Sequence, residues 1–183
     1  MNGMGPIRLW VLMLALLAAV CPLTEARAQV GETVATCVRP IRAGDTVRAM
    51  LAQPQAFDCT PDQSAYGAGD FWALSKPLPT LPGDLHDRMS ISFASAWQNA
   101  TTLHILYADG SIRHIAFTSA TTSRYLLLGP MIAVPLPRAT TRPVRILWEV
   151  HGAANLRGVV RGARLQHYAQ ALEVESELSL LYG

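Results

Sequence analysis

Several segments of this 183-residue chain alternate apolar and polar side chains with a period of two, and no other sequence feature limits the fold as much. In Arg88–Trp97, for example, Met89, Ile91 and Phe93 share one face, while serine and alanine fill the other. Successive side chains of a strand point to opposite faces, so this pattern predicts strands with one buried face. The predicted strands cover 71–78, 88–97, 102–108, 111–117, 124–129, 144–150 and 156–165. Short strands separated by turn residues indicate an all-β protein, either an antiparallel sandwich or a barrel.

Asp109-Gly110 is the clearest single turn signal, because this dipeptide favours a two-residue hairpin loop. A loop of that length pairs Ala108 with Ser111. The resulting register predicts one shared core face, made of Leu103, Ile105, Tyr107, Ile112, His114 and Ala116. It places His104 and His114 on opposite faces of the sheet, so these two histidines are not expected to share a metal.

The first 28 residues have the layout of a secretory signal peptide. One basic residue, Arg8, precedes the apolar run Leu9–Val20, and the segment ends in Ala26-Arg27-Ala28. The run is shorter than the roughly 20 residues that cross a bilayer as a helix. This length favours cleavage before Gln29 over the alternative, an uncleaved membrane anchor. We therefore expect residues 1–28 to direct export, and the rest of the chain to work outside the cytoplasm.

Residues 29–66 are predicted to form an irregular N-terminal arm with one short helix at Thr46–Gln53, ending before Pro54. The arm contains Cys37 and Cys59, the two cysteines that lie outside the signal peptide. In an oxidising compartment such a pair is expected to form a disulfide. A metal site is the alternative, although no Cys-x-x-Cys spacing or neighbouring histidine supports it.

The chain closes with a predicted helix. Gln166–Tyr182 contains no glycine or proline and mixes glutamates with alanine, valine and leucine. Its last turn, Leu178–Tyr182, is apolar apart from Ser179. A soluble domain seldom ends in such a turn, so we expect the helix to have a partner or to lead to further chain.

Charge and motifs argue against several classes of function. The formal charge is only +2, from 15 basic and 13 acidic residues. A charge this small does not indicate a protein that binds nucleic acid or an anionic membrane surface. The chain lacks a Gly-x-Ser-x-Gly elbow, a P-loop, a dinucleotide fingerprint and a His-Glu-x-x-His motif. The sequence therefore predicts no catalytic residues, no metal and no cofactor.

Four residues are candidates for ligand binding. Trp72 follows a glycine-containing break and would offer an aromatic surface, although core packing is the simpler interpretation. Arg113 and Arg145 are predicted to project from the polar sides of their strands, where guanidinium groups bind carboxylates or sugar hydroxyls. A solvated face is the alternative for both arginines. His151 ends a predicted strand, where functional residues often lie, and a turn histidine is the alternative interpretation.

The segments Gly69–Leu78, Trp148–Val150, Arg161–Leu165 and Leu181–Gly183 carry a resemblance to a known bacterial family. They resemble the extracellular sensor domain of seven-transmembrane receptors with diverse intracellular signalling modules, in the version found at the N-terminus of alphaproteobacterial GGDEF diguanylate cyclases. The resemblance implies a jelly-roll β-sandwich over 67–166 and an output helix over 167–183 that leads toward a membrane segment. It also implies a location in the periplasm, at the outer face of the inner membrane.

The chain departs from the family pattern in two ways. The family's Gly-x-x-Trp motif is present as Gly69-Asp70-Phe71-Trp72, but Leu74 stands where an arginine is often found. The 183 residues contain neither a seven-helix segment nor a GGDEF cyclase domain. The resemblance therefore implies an input domain without catalytic activity of its own.

The residues and the resemblance together favour a non-catalytic periplasmic input domain of a membrane signalling receptor. Its expected partner is a small molecule, such as a sugar or a carboxylate, or else a periplasmic or membrane protein domain. A homodimer through the C-terminal helix is a further expectation. The alternative is a stand-alone secreted carbohydrate-binding module, which predicts a row of exposed aromatic residues on one sheet face. A third hypothesis, a small exported hydrolase, requires a nucleophile and a base within reach of each other.

Overall fold

Two antiparallel sheets make up most of the computed structural model, which describes residues 31–60, 63–82, 88–94, 98–127, 131–155 and 158–182. The strands are β1 Glu32–Thr33, β2 Thr36–Pro40, β3 Gly69–Ser75, β4 Met89–Ala94, β5 Ala100–Tyr107, β6 Ile112–Thr118, β7 Met131–Pro135, β8 Pro143–Ala153 and β9 Arg161–His167. The four-stranded sheet has the order β1-β9-β4-β7, and the five-stranded sheet has the order β2-β3-β8-β5-β6. The predicted signal peptide, residues 1–28, lies outside the described residues.

The two sheets pack face to face around a common core. Phe93 of β4 and Trp148 of β8 meet edge to face across it, with their ring centroids 5.9 Å apart. The core draws on both sheets and includes Ile91, Phe93, Val134, Leu165, Leu103, Ile105, Trp148 and Val150. Most connections carry the chain from one sheet to the other, as from β3 to β4 and from β4 to β5. The predicted all-β, antiparallel jelly-roll sandwich with a C-terminal helix is confirmed.

Within the sandwich that follows the arm, one predicted strand is wrong and one observed strand, β7, is missing from the prediction. Of the predicted strand 124–129, Arg124 is the last residue of the 3₁₀ helix Thr122–Arg124, Leu126 makes only an isolated bridge to Ile132, and 128–129 lie outside the described residues. The strand that pairs with β4 is instead β7, which ends at Pro135. Proline has no backbone N–H to donate to a neighbouring strand, so it argues against a strand in the sequence. β7 lies at the edge of its sheet, where proline is tolerated.

The β5–β6 hairpin has a register one residue away from the predicted one. It pairs His104 with His114, and the Tyr107 amide donates to the Ser111 carbonyl at 2.9 Å. The loop therefore holds three residues rather than two, with Gly110 at φ +81°, as in the three-residue hairpin loops that end in a left-handed residue.

A slip of one residue moves every side chain of a strand to the other face. The predicted core face of β6 is therefore wrong: Ile112, His114 and Ala116 lie on the same side as His104. The core side of β6 carries Phe117, which is buried. The predicted core face of β5 is confirmed, because Leu103, Ile105 and Tyr107 are all buried.

The N-terminal arm is more regular than predicted, because β1 pairs with β9 and β2 pairs with β3. The arm thus supplies an edge strand to each sheet. Helix α1, Val47–Ala52, confirms the predicted short helix, and the Thr46 hydroxyl caps it by accepting from the Ala49 amide at 3.3 Å. The predicted disulfide between Cys37 and Cys59 is also confirmed and ties β2 to the later part of the arm.

The predicted C-terminal helix is present as α2, Tyr168–Tyr182, and it continues directly from β9. Ala171 in its first turn is buried, whereas Leu172 and Leu180 are exposed. The helix therefore touches the sandwich at its beginning and exposes apolar side chains further on. None of the helices in the described part of the chain is long and apolar enough to cross a membrane.

Candidate functional site

The outer face of the five-stranded sheet, the side turned away from the core, carries three of the four residues predicted to bind a ligand. Trp72 lies on β3, and Arg145 and His151 lie on β8. Cross-strand pairing places Glu149 opposite Trp72 and Arg145 opposite Leu106, which puts these side chains on one face. The sandwich thus brings together residues that are far apart in the chain.

The N-terminal arm covers Trp72. The indole is only 3% exposed, and its Nε1–H donates to Oδ2 of Asp45 at 3.1 Å. Arg39 donates to both oxygens of the same carboxylate, at 3.0 and 3.1 Å. A second apolar cluster, separate from the main core, surrounds the indole and contains Cys37, Met50, Phe57, Leu74 and Leu147. Trp72 therefore holds the arm to the sheet, and the packing interpretation fits it better than ligand binding.

Next to Trp72, the outer face carries four linked side chains that we call the histidine–carboxylate chain: Asp70, His151, Glu149 and His104. Oδ2 of Asp70 lies 3.2 Å from Nδ1 of His151. Nε2 of His151 lies 3.2 Å from Oε1 of Glu149, and Nε2 of His104 lies 3.0 Å from Oε2 of that carboxylate. Strands β3, β5 and β8 thus place two imidazoles and two carboxylates in continuous contact.

The charge on His151 is coupled to both of its carboxylate neighbours. Partial burial lowers the pKa of His151, but the hydrogen bonds and charges of Asp70 and Glu149 outweigh that effect, and the net shift is upward. The pKa of Asp70 is lowered, first by the Gly152 amide, which donates to it at 2.8 Å, and then by His151. The His151 side chain is 42% exposed, so it exchanges protons with solvent. The arrangement can therefore respond to pH or to a ligand that competes for the imidazole.

His104 extends this chain toward other aromatic rings. Its ring centroid lies 6.2 Å from that of Trp72 and 6.5 Å from that of His114. The contact with His114 corrects the expectation that the two histidines lie on opposite faces, and its cause is the longer hairpin loop. Even so, no group of three or more histidine, cysteine or acidic side chains in the described residues is arranged to hold a metal ion.

The two candidate arginines lie on different sides of the five-stranded sheet. Arg145 is partly buried on the outer face. Arg113 lies opposite Ile105, on the side of the core, and is exposed because β6 is the edge strand. The expectation that both arginines project from polar strand faces is therefore wrong for Arg113. They do not form a joint guanidinium site.

A second candidate site is a cavity of about 300 Å³ at the edge of the sandwich, which we call the edge cavity. Its walls come from the link between β1 and β2, the disulfide end of the arm and the start of β9. The lining residues are Thr33–Thr36, Cys59, Thr60, Gln63, Gly158 and Val160–Ala163. Arg161 is the charged residue among them, and its side chain is exposed. The cavity therefore combines a positive charge with hydroxyl and amide groups.

Gln63 forms one wall of the edge cavity and joins the two sheets. Its Oε1 accepts from the amides of Val159 and Val160 at 3.1 and 3.2 Å. Its Nε2 donates to Oγ1 of Thr36 at 2.9 Å. The side-chain amide of Asn155 donates to the Gln63 carbonyl at 2.8 Å. One side chain thus links the residues before β9 to β2.

Sequence reasoning missed the histidine–carboxylate chain and the edge cavity. Glu149 can be placed between His104 and His151 only once the pairing of β8 with β5 is known. Gln63 gives no signal in the sequence, because it is a single polar residue in an irregular segment. In the sequence Arg161 is one of several arginines that could bind an anion, and it lies in the stretch that resembles receptor sensor domains, but nothing there sets it apart from the others.

No protein-family model matches this chain, and no curated protein sequence matches it either. The resemblance to receptor sensor domains therefore stays a prediction. A fold of this kind hosts many unrelated functions, so the function has to be argued from the sites and from the connection between them.

Proposed function

We propose that this protein is a non-catalytic sensory input domain, which works in the periplasm and passes a binding event to a membrane signalling receptor of the diguanylate cyclase type. One observation carries the proposal. β9 lies inside the four-stranded sheet, between β1 and β4, and runs without a loop into α2. A change in the position of β9 would therefore move the helix directly.

The junction between β9 and α2 is held on a second side by the segment before β4. The Tyr168 amide donates to the Arg88 carbonyl at 2.7 Å, and the Arg88 guanidinium lies 5.2 Å from the centroid of the Tyr168 ring. These contacts fix the direction in which the helix leaves the sandwich. A ligand signals through such a joint only if it prefers one arrangement of the helix over another.

The exposed part of α2 supports a partner outside the sandwich. Leu180 is 85% exposed, and Leu172 is 45% exposed. Apolar side chains on the free part of a helix are typical of a surface that contacts another chain or domain. The proposal assigns this surface to the receptor, or to a second copy of the helix in a dimer.

The proposed periplasmic location rests on the signal-like N-terminus and on the disulfide between Cys37 and Cys59. Disulfides persist in oxidising compartments such as the periplasm. The two features are independent, because one is read at the N-terminus and the other in the folded arm. The location stays part of the proposal.

The alternative, a stand-alone carbohydrate-binding module, finds less support. It predicts a row of exposed aromatic rings on a sheet face. Among the phenylalanine, tyrosine and tryptophan residues between 57 and 168 that the structure describes, every side chain is buried or half-buried, and Trp72 lies beneath the arm.

Expression of the full chain, with its N-terminal segment, tests the proposal. We expect the protein in the periplasmic fraction with its disulfide formed. Hydrogen exchange is then measured with and without sugars, organic acids and candidate receptor domains. A stabilising partner is expected to change amide exchange in both β9 and α2.

A matched control separates binding from transmission. Two glycines inserted between His167 and Tyr168 break the continuity of β9 and α2. In this variant the same partner should still protect the sandwich but should no longer alter exchange in α2. Cytoplasmic retention, or a partner that never affects α2 in the unaltered chain, would contradict the proposed function.

A further inference from the structure

We propose that the edge cavity binds a small organic acid, whose carboxylate pairs with the guanidinium of Arg161. This inference rests on the proposed sensory function and names the ligand class and the place where it binds. It differs from the expectation at the sequence level, which assigned ligand binding to Trp72, Arg113, Arg145 and His151.

The charge of the lining favours an anion. Arg161 is the charged lining residue, and no acidic side chain lines the cavity among the described residues. In that part of the chain, the Arg161 guanidinium makes no ion pair with a carboxylate. Arginine binds a carboxylate through two parallel hydrogen bonds, which gives geometric selectivity as well as affinity.

The other lining groups suit the rest of an organic acid. Thr33 and Thr36 bring hydroxyls, and the side chains of Val34, Val160 and Ala163 bring apolar surface. The space beside Gly162, which has φ +60°, is open, because a Cβ added at this position would meet no atom within 4 Å. The volume of about 300 Å³ lies at the lower end of the range for small-molecule sites. The cavity therefore suits a compact di- or tricarboxylic acid.

The position of the cavity connects ligand binding to the output helix. Arg161, Gly162 and Ala163 are the first residues of β9, and α2 begins after His167 at the other end of the same strand. The opposite walls belong to the β1–β2 link and to Cys59 and Thr60 of the arm. A ligand bound there would contact β9, the arm and an edge of each sheet at the same time. It would therefore favour one relative position of these parts.

The test measures the thermal unfolding midpoint of the full chain with malonate, succinate or citrate at constant ionic strength. Sulfate and phosphate serve as controls for a general effect of anions. Succinamide, which has the shape of succinate without its charges, serves as the control for shape. At about one hundred times its Kd, a bound acid is expected to raise the midpoint by about 5–10 °C. Arg161→Gln is expected to weaken binding by about tenfold or more, because it removes a charge-assisted pair.

Arg113→Gln is the matched control, since Arg113 is an exposed arginine on an edge strand outside the cavity lining. It should bind the acid as the unaltered chain does. Ala35→Leu, which fills the cavity from a different wall, provides a second variant and should abolish binding without removing a charge.

The outcomes separate this inference from the proposed function. Equal binding by the unaltered chain, Arg161→Gln and Ala35→Leu would place the site elsewhere and overturn the inference. Stabilisation by neutral sugars alone, or equally by sulfate and phosphate, would also overturn it, while the sensory function stands. Failure of every small molecule and receptor domain to change exchange in α2 would instead count against the proposed function.

Discussion

His151 has a carboxylate at each ring nitrogen, so the proton that it carries is coupled to both. Nδ1 faces Asp70 and Nε2 faces Glu149, whose second oxygen contacts His104. The pKa of His151 is raised above its ordinary value of 6.5, so protonation is favoured in the folded protein. The protonated ring therefore contributes stability below pH 6.5, and that contribution is lost as the pH rises through the raised pKa.

The first prediction concerns this dependence on pH. From pH 6 to pH 8 the unfolding midpoint of the unaltered chain should fall relative to that of His151→Gln, which lacks the titrating ring. The measurement is thermal unfolding across this range. His114→Gln is the matched control, because His114 is exposed and pairs with no carboxylate in the described residues. A His151→Gln profile parallel to that of the unaltered chain would refute the coupling.

The second prediction concerns Asp45, which accepts from Arg39 and from the Trp72 indole. Asp45→Ala leaves the partly buried Arg39 guanidinium and the buried Trp72 indole N–H without this acceptor. The expected loss of unfolding free energy is about 1–3 kcal/mol, measured by urea denaturation with tryptophan fluorescence. Glu173→Gln, an exposed carboxylate on α2, should change stability by less than about 0.5 kcal/mol. Equal effects of the two substitutions would show that Asp45 does not anchor the arm.

At the scale of elements, the part of the arm that follows β2 packs on the outer face, where the disulfide to β2 and one apolar cluster help to hold it. Cys37 and Cys59 are separated by 22 positions and join β2 to the end of the arm. Met50 and Phe57 cover Trp72 and Leu74 between these points. Opening of the disulfide should therefore loosen the part of the arm after β2 before the sandwich unfolds.

The third prediction is that Cys37→Ser with Cys59→Ser lowers the unfolding free energy by roughly 3 kcal/mol, the chain-entropy value for a loop of this length. Urea denaturation in the absence of reductant gives the difference from the unaltered chain. Reductant should destabilise the unaltered chain by a similar amount and leave the double variant unchanged. A double variant as stable as the unaltered chain would mean that the disulfide adds nothing to the other contacts that hold the arm.

Elements with a strong local signal could be predicted, and those that depend on a neighbour could not. Thr46 caps α1 as its sequence position suggests, and β5 buries the residues expected of it. β7 escaped prediction because its proline is acceptable only at a sheet edge, and edge position is not visible in the sequence. The register of β6 failed for a related reason, since Asp109-Gly110 suits both a two-residue and a three-residue loop.

At the scale of the whole molecule, Gln63 joins the two sheets at the edge cavity. Its side chain accepts from Val159 and Val160 and donates to Thr36. The fourth prediction is that Gln63→Ala lowers the unfolding free energy by about 1–3 kcal/mol, because these groups lose their partner. Gln63→Glu keeps the acceptor and removes the donor, so its loss should be smaller than that of Gln63→Ala. Equal stability of all three chains in urea would show that the bridge contributes nothing.

The sequence by itself determined the class of fold, the disulfide pair and the two helices. Period-two patterning and helix propensity act between near neighbours in the chain, and two cysteines outside residues 1–28 allow a single pairing. Only the tertiary structure decided which side chains meet. The pairing of β8 with β3 and β5 builds the histidine–carboxylate chain, and Gln63 with the start of β9 builds the edge cavity. A shift of one residue in a strand pair changes every such contact, and strand register depends on the whole sandwich rather than on any local stretch.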